Sequence, residues 1–234
     1  MNKNPASIDM IKVVAHALGD LNPKGVYVGG ATVPLYIPQQ YWPQARPTED
    51  IDIVMEIVGR REGWVNDEVL RRKGFEHDIS EGAPICRWLY KGLKVDIMSP
   101  DPSITGFTNK WYEEGVERSK EVDLKAVRIR IFTTLYFLAS KIEAFKSRGK
   151  GDFTGSKDME DIISILEVHA VAGIETDLAM ASVGLKKYLI KEFQSLQKND
   201  GFLDALPGAV FNRQNPMAGA QAVKDKIQRM FGQA

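Results

Sequence analysis

Two aspartates inside an apolar strand are the residues of this sequence best suited to chemistry. Asp50 and Asp52 begin the run Asp50-Ile51-Asp52-Ile53-Val54-Met55. Because side chains alternate across a strand, both carboxylates point to one face, with Cα atoms about 7 Å apart. Two converging carboxylates repel each other unless a cation lies between them. Mg²⁺ suits this place, since it binds carboxylates together with substrate phosphates, although a merely exposed strand face stays open as an alternative.

A third acid, Asp96, interrupts another apolar run, Leu93–Met98. If this strand pairs beside the strand of Asp50 and Asp52, all three acids line one face and can hold two Mg²⁺ ions, or Mn²⁺ in their place. Two such ions about 3.5–4 Å apart stabilise the attacking and leaving oxygens of a phosphoryl displacement. The alternative for Asp96 is a solvent-facing position on an edge strand.

The glycine pair Gly29-Gly30 follows a predicted buried strand over Val26–Val28. Glycines at the end of a strand let backbone N–H groups approach phosphates without an intervening side chain. A helical turn beginning at Ala31 would add partial positive charge at the same place. A tight turn without a ligand is the alternative for the pair alone, but its order before the three acids favours a nucleotide site.

The elements that position these residues predict an α+β protein. The first hundred residues alternate between helix and strand patterns and predict a mixed β-sheet of about five strands flanked by helices. The second half predicts helices, which is why we expect residues 1–115 to form the catalytic domain and residues 116–234 a helical domain that closes the nucleotide cleft. The predicted strands are 26–28, 51–57, 75–79, 85–90 and 93–98, with 127–132 as a strand or the start of a helix, and the predicted helices are 8–18, 63–73, 134–147, 157–171, 178–196 and 220–231, with 199–216 as a connector.

Composition sets the cellular context. The 234 residues carry 31 Lys+Arg and 31 Asp+Glu, so no overall basic charge indicates a nucleic-acid binder. The one cysteine, Cys86, indicates a reducing compartment. No apolar run approaches the roughly 20 residues that cross a bilayer, and the first residues lack the centre of a signal peptide. The sequence therefore predicts a soluble cytoplasmic protein without a membrane partner.

Three motifs together resemble the DNA polymerase β-like nucleotidyltransferase superfamily. They are Val28-Gly29-Gly30, Thr48-Glu49-Asp50-Ile51-Asp52-Ile53 and Val95-Asp96-Ile97. The long spacer ending in Arg46-Pro47-Thr48 and a later lysine-rich helix most resemble its AbiEii-type abortive-infection toxins. The resemblance covers about residues 25–170. It implies transfer of a nucleoside monophosphate from an NTP, with release of pyrophosphate.

The same resemblance implies a role for each motif residue. Asp50 and Asp52 would bind both metals, and Asp96 would bind one metal and help to deprotonate the attacking hydroxyl. Gly29 and Gly30 would hold the triphosphate.

Residues of the second half supply the cations that such a reaction needs. The segments Leu138–Ala144 and Lys157–Ile162 resemble the Lys-x-x-Ala and Lys-Asp-x-x-Asp motifs of the same branch, in which the first lysine, Lys141 here, meets the triphosphate. We add Lys157, Asp158 and the hydroxyl of Thr48 as nucleotide-binding candidates. The alternatives are a core lysine for Lys141, a first helical turn for Lys157 and Asp158, and a loop-fixing role for Thr48.

The residues do not identify the acceptor. The branch resemblance suggests RNA, such as a tRNA 3′ end, or a protein hydroxyl, in a toxin–antitoxin system with an antitoxin as partner. A small-molecule acceptor such as an aminoglycoside is the enzymatic alternative. A non-catalytic module that binds a nucleotide or a protein on the same fold is the other, although three acids and Lys141 together favour catalysis.

Overall fold

The computed structural model describes residues 6–55, 67–101 and 109–232. The chain divides into two compact units. The sheet unit comprises Met1–Thr32 and Pro47–Phe132, and the helical unit comprises Val33–Arg46 and Thr133–Ala234. The chain therefore passes from the first unit into the second and back before its final passage into the helical unit.

In its described part, the sheet unit is built on a seven-stranded mixed sheet with the strand order β3-β4-β5-β2-β1-β7-β6. Strands β2 and β5, and β1 and β7, run parallel, while the other neighbours run antiparallel. This architecture, together with the C-terminal helices, confirms the predicted α+β fold class. The strands are β1 (Gly25–Val28), β2 (Asp50–Met55), β3 (Glu76–His77), β4 (Arg87–Tyr90), β5 (Leu93–Met98), β6 (Lys120–Asp123) and β7 (Arg128–Ile131).

Apolar periodicity explains the elements around the acids. In β2, Ile51 and Ile53 are fully buried on the face opposite the two aspartates. Helix α1 (Ala6–Leu18) buries an apolar stripe at helical spacing, and Gly19 follows it with φ +56°. Residues 67–72 are helical, and α2 is Tyr112–Glu117. Part of the predicted helix 63–73 lies outside the described residues.

The helical unit contains six α-helices in its described part. They are α3 (Thr134–Arg148), α4 (Lys157–Val168), α5 (Val171–Met180), α6 (Val183–Leu196), α7 (Asp200–Ala209) and α8 (Pro216–Phe231). No helix in the described part of the chain is long and apolar enough to cross a membrane.

Two predictions about these helices are wrong. The expected helix 178–196 is two helices, because Ala181 and Ser182 are extended and the Ser182 hydroxyl caps α6 by accepting from the Leu185 N–H. The expected connector 199–216 contains α7, which Asn199 caps in the same way although Pro207 lies inside the helix. Burial of apolar side chains outweighs the local proline signal there.

The sheet continues past the predicted domain boundary. Strands β6 and β7 pair as a hairpin, and β7 extends the sheet beside β1. The compact units therefore divide at Phe132 and Thr133 rather than at residue 115. Segment Val33–Arg46 also joins the helical unit, where the ring of Tyr36 lies 4.6 Å from that of Phe137.

Candidate active site

The three predicted acids lie on one face of the sheet. Strand β2 lies beside β5 and pairs with it in parallel, and the register places Asp52 directly opposite Asp96. Paired residues of adjacent strands point to the same face, and Asp50 joins them two residues earlier on β2. The antiparallel pairing of β4 and β5 places Arg87 opposite Asp96, so that its side chain lies on this face too. We call Asp50, Asp52, Asp96 and Arg87 the acidic face.

Arg87 is the functional candidate that the sequence-based interpretation missed. Its Nε donates to Asp96 Oδ1 at 2.8 Å and its Nη2 to Asp96 Oδ2 at 2.7 Å. The same Nη2 lies 3.5 Å from Oδ2 of Asp50. Two of the three acids thus already reach one cationic nitrogen, and the hydrogen bonds that the guanidinium donates to Asp96 raise the pKa of Arg87.

A sequence signal for Arg87 did exist. Lys91 and Gly92 both have positive φ, as in a two-residue hairpin turn between β4 and β5. Counting outward from that turn pairs Tyr90 with Leu93 and, three steps later, Arg87 with Asp96.

Gly29 packs directly against one of the acids. Its φ is +71°, and a Cβ added there would lie 1.9 Å from Oδ2 of Asp52. Both the backbone conformation and the contact therefore require glycine. Gly30 is buried and begins a short 3-10 helix, Gly30–Leu35, and the Thr32 hydroxyl and N–H both donate to the Gly29 carbonyl. The glycine turn and Asp52 form one structural unit.

Thr48 positions the first aspartate. Its hydroxyl lies 2.9 Å from Asp50 Oδ1, to which it donates, and 3.3 Å from the Asp50 carbonyl oxygen. One carboxylate oxygen of Asp50 therefore contacts its own loop, and the other faces Arg87.

Cys86 borders the same face. The residue is 5% exposed and directly precedes Arg87, and its carbonyl accepts from the Ile97 N–H. Burial, reinforced by the charge of Asp96, raises the pKa of the thiol to about 11. Cys86 is therefore a protonated, buried thiol rather than a nucleophile.

Lys141 lies in a buried ion-pair network of the helical unit. Its ammonium is 3.0 Å from Asp158 Oδ1 and 2.7 Å from Asp161 Oδ2, and the residue is 6% exposed. Burial opposes the charge, but Asp161 and Asp158 together raise the pKa of Lys141. Lys157, by contrast, is exposed at the start of α4.

Two arginines complete this network. Arg148 donates through Nε and Nη2 to the two oxygens of Asp158, both at 2.9 Å, and Arg46 donates to Asp161 at 3.2 Å. Burial opposes ionisation of Asp158, but Arg148 and Lys141 lower its pKa. The network joins α3, α4 and the segment Val33–Arg46, which accounts structurally for Lys141 and Asp158.

The donor chemistry of the acidic face fits a hard divalent cation. Three carboxylates share the face, and the positively charged Nη2 of Arg87 contacts two of them, where a metal ion could also lie. Within residues 6–55, 67–101 and 109–232, no three His, Cys, Asp or Glu side chains are grouped closely enough to hold a metal as they stand. Asp96 directs both oxygens to Arg87, so a metal would have to share or replace that partner.

Comparison with solved structures identifies the fold. The chain resembles the crystal structure of an antigenic nucleotidyltransferase-like protein from Paracoccidioides brasiliensis, with a TM-score of 0.52 and 18% identity over 97% of each chain. The fold is nucleotidyltransferase-like. Neither a protein family nor a curated protein matches the sequence. The AbiEii-type relationship stays a prediction.

Proposed function

We propose that this protein is a divalent-metal-dependent nucleotidyltransferase, which transfers a nucleoside monophosphate from an NTP to a hydroxyl acceptor and releases pyrophosphate. One observation carries the proposal: Asp50, Asp52 and Asp96 share one face of the sheet, and Asp52 contacts the Gly29 turn. Acids beside a glycine turn suit a metal-bound triphosphate, because carboxylates hold the metal and exposed backbone N–H groups receive phosphates.

Each residue of the site would have a defined task. Asp50, oriented by Thr48, and Asp52, held against Gly29, would hold Mg²⁺ or Mn²⁺. Asp96 would share a metal and accept the proton of the attacking hydroxyl. When bound, the metal neutralises phosphate charge and favours in-line attack. The chain itself contributes orientation and fixed charge, which dominate catalysis of phosphoryl transfer.

The contact of Lys141 with the triphosphate stays a prediction. In this structure its ammonium donates to two buried aspartates, each of which also has an arginine partner. A role in nucleotide binding would require Lys141 to exchange one of these partners for a phosphate. Exposed Lys157 has no such constraint, and we keep it as a nucleotide-binding candidate.

For the acceptor, we propose RNA, such as a tRNA 3′ end, or a protein hydroxyl, with a toxin role controlled by an antitoxin. The support is the resemblance of the motifs to the AbiEii-type branch. Incubation with NTPs labelled at the α-phosphate and with separate cellular RNA, protein and small-molecule fractions tests this. Label should enter RNA or protein with the wild type and should not enter with the double variant D50N/D52N.

The other outcomes of that experiment are equally informative. Label confined to the small-molecule fraction would select the aminoglycoside-like alternative. An absence of label from every fraction would favour a non-catalytic nucleotide- or protein-binding module. The ion pair between Arg87 and Asp96 is the observation that keeps this second candidate, since it satisfies Asp96 without a metal.

A further inference from the structure

Arg87 makes the closest ion pair of the acidic face. The pairing of Arg87 with Asp96 is bidentate, and both side chains are shielded from water, with 17% and 10% of their surfaces exposed. Its Nη2 also faces Asp50 at 3.5 Å. A bidentate guanidinium–carboxylate pair is among the strongest side-chain hydrogen-bonding arrangements, and here it uses both oxygens of Asp96.

A divalent metal on this face would meet that guanidinium. Asp50 and Asp96 are two of the three acids proposed to hold the metal, and Arg87 contacts both. Like charges a few ångströms apart repel strongly where water is excluded. A bound metal and a docked guanidinium therefore oppose each other.

We propose that Arg87 is an internal counter-ion that competes with the divalent metal for Asp96 and Asp50, so that the metal binds only as the guanidinium turns away. This inference rests on the proposed function, because it takes the acidic face to be the metal site. Without a metal, Arg87 neutralises the site and keeps Asp96 oriented. With a metal, the guanidinium is released and its charge is available to another anion.

Titration of the intact protein with Mn²⁺, with free Mn²⁺ followed by electron paramagnetic resonance, tests the competition without any reaction. The variants are R87M, which removes the charge and keeps much of the length, and R128M as the matched control. Arg128 is exposed on β7 and faces Asp123 at 3.9 Å. We expect R87M to bind Mn²⁺ about tenfold more tightly than the wild type. R128M should match the wild type.

The outcomes separate the inference from the proposed function. If the wild type binds Mn²⁺ and R87M binds it equally or less tightly, Arg87 positions Asp96 rather than competing, and the inference is overturned while the metal site stands. If neither binds Mn²⁺, both the inference and the metal-dependent function fail.

A second measurement covers the case in which R87M does not fold. In wild-type protein labelled with ¹⁵N-arginine, the Nε–H resonance of Arg87, assigned by its absence in R87K, should shift when Mg²⁺ is added. The resonance of Arg128 should stay in place. An Arg87 resonance that does not move at saturating Mg²⁺ would overturn the inference.

Discussion

At the scale of single residues, the carboxylate of Asp52 lies so close to Gly29 that it leaves no room for a side chain there. A methyl group at residue 29 would overlap the Asp52 carboxylate, and the φ of +71° adds strain for any other residue. Asp52 therefore owes its position to the absence of a side chain at Gly29, directly after the neighbouring strand β1.

The variant G29A tests this dependence. We expect it to lower the free energy of unfolding by at least about 2 kcal/mol, because the left-handed backbone and the overlap both act against it. Urea unfolding measures the effect, and G92A, which also has positive φ but meets no atom within 4 Å of an added Cβ, is the control for the backbone term. Equal losses in both variants would show that the contact with Asp52 contributes nothing.

At the scale of elements, the buried network between α3 and α4 explains why a lysine is tolerated inside an apolar helix. Lys141 is surrounded by apolar neighbours in sequence, and sequence reasoning assigned it to the nucleotide. The partners Asp158 and Asp161 lie 17 and 20 residues later, one turn apart at the start of α4. That spacing is visible in the sequence, but the packing of α3 on α4 is not.

Replacement of Lys141 by methionine should destabilise the protein by about 3 kcal/mol, because breaking a buried ion pair leaves uncompensated charge. K157M is the control, since Lys157 is exposed, and it should stay within about 0.5 kcal/mol of the wild type. Denaturant unfolding gives both values. A K141M protein of wild-type stability that binds NTP more weakly would instead support the predicted contact with the triphosphate.

The free energy of unfolding should depend on pH through two groups of this network, the carboxylate of Asp158 and the ammonium of Lys141. The pKa of Asp158 is lowered from its ordinary 3.8, so its stabilisation is present above that value and is lost as the pH falls below it. The pKa of Lys141 is raised above 10.5, so its stabilisation is present below that value and is lost at still higher pH.

Unfolding midpoints of D158N and the wild type should therefore converge as the pH falls below 3.8. Midpoints of K141M and the wild type should converge only above pH 10.5. A constant difference across these ranges would show that the network does not titrate with folding.

Local patterns singled out the three acids and the glycine pair that the structure brings together. The alternation in β2, the lone acid in β5 and the glycine pair after β1 are local features, whereas the parallel pairing of β2 with β5 is a long-range feature that they do not give. Arg87 was missed because its place beside Asp96 depends on the register of the hairpin formed by β4 and β5. Strand β6 was missed because its sequence, Lys-Glu-Val-Asp, is mostly charged.

At the scale of the whole molecule, the helical unit is built from two stretches of chain that are far apart in sequence. Segment Val33–Arg46 belongs to it, contributes the Tyr36 carbonyl that lies 2.7 Å from His169 Nδ1, and supplies Arg46 to Asp161. Four prolines between Gly30 and Asp50 are typical of a loop-rich stretch, and no local signal in the sequence shows which unit this stretch joins.

A fragment of residues 133–234 should therefore fold poorly by itself. Without residues 33–46 the fragment would expose the apolar surface of Phe137 that Tyr36 contacts, and Asp161 would have one cation fewer. Circular dichroism should show a broad, non-cooperative thermal transition, sharpened by fusing residues 33–46 to the fragment. A cooperative transition in the unfused fragment, unchanged by the fusion, would contradict this assignment.

The central claim is that the acidic face holds a metal-bound NTP, and thermal unfolding of the intact protein with Mg²⁺ and each NTP tests it most directly. For the wild type, at least one NTP should raise the Tm in the presence of Mg²⁺ and not in its absence, with about 2.7 kcal/mol of stabilisation at a hundred times Kd. The variant D50N/D52N should show no rise. An equal rise in the variant, or no rise with any NTP in the wild type, would contradict the claim.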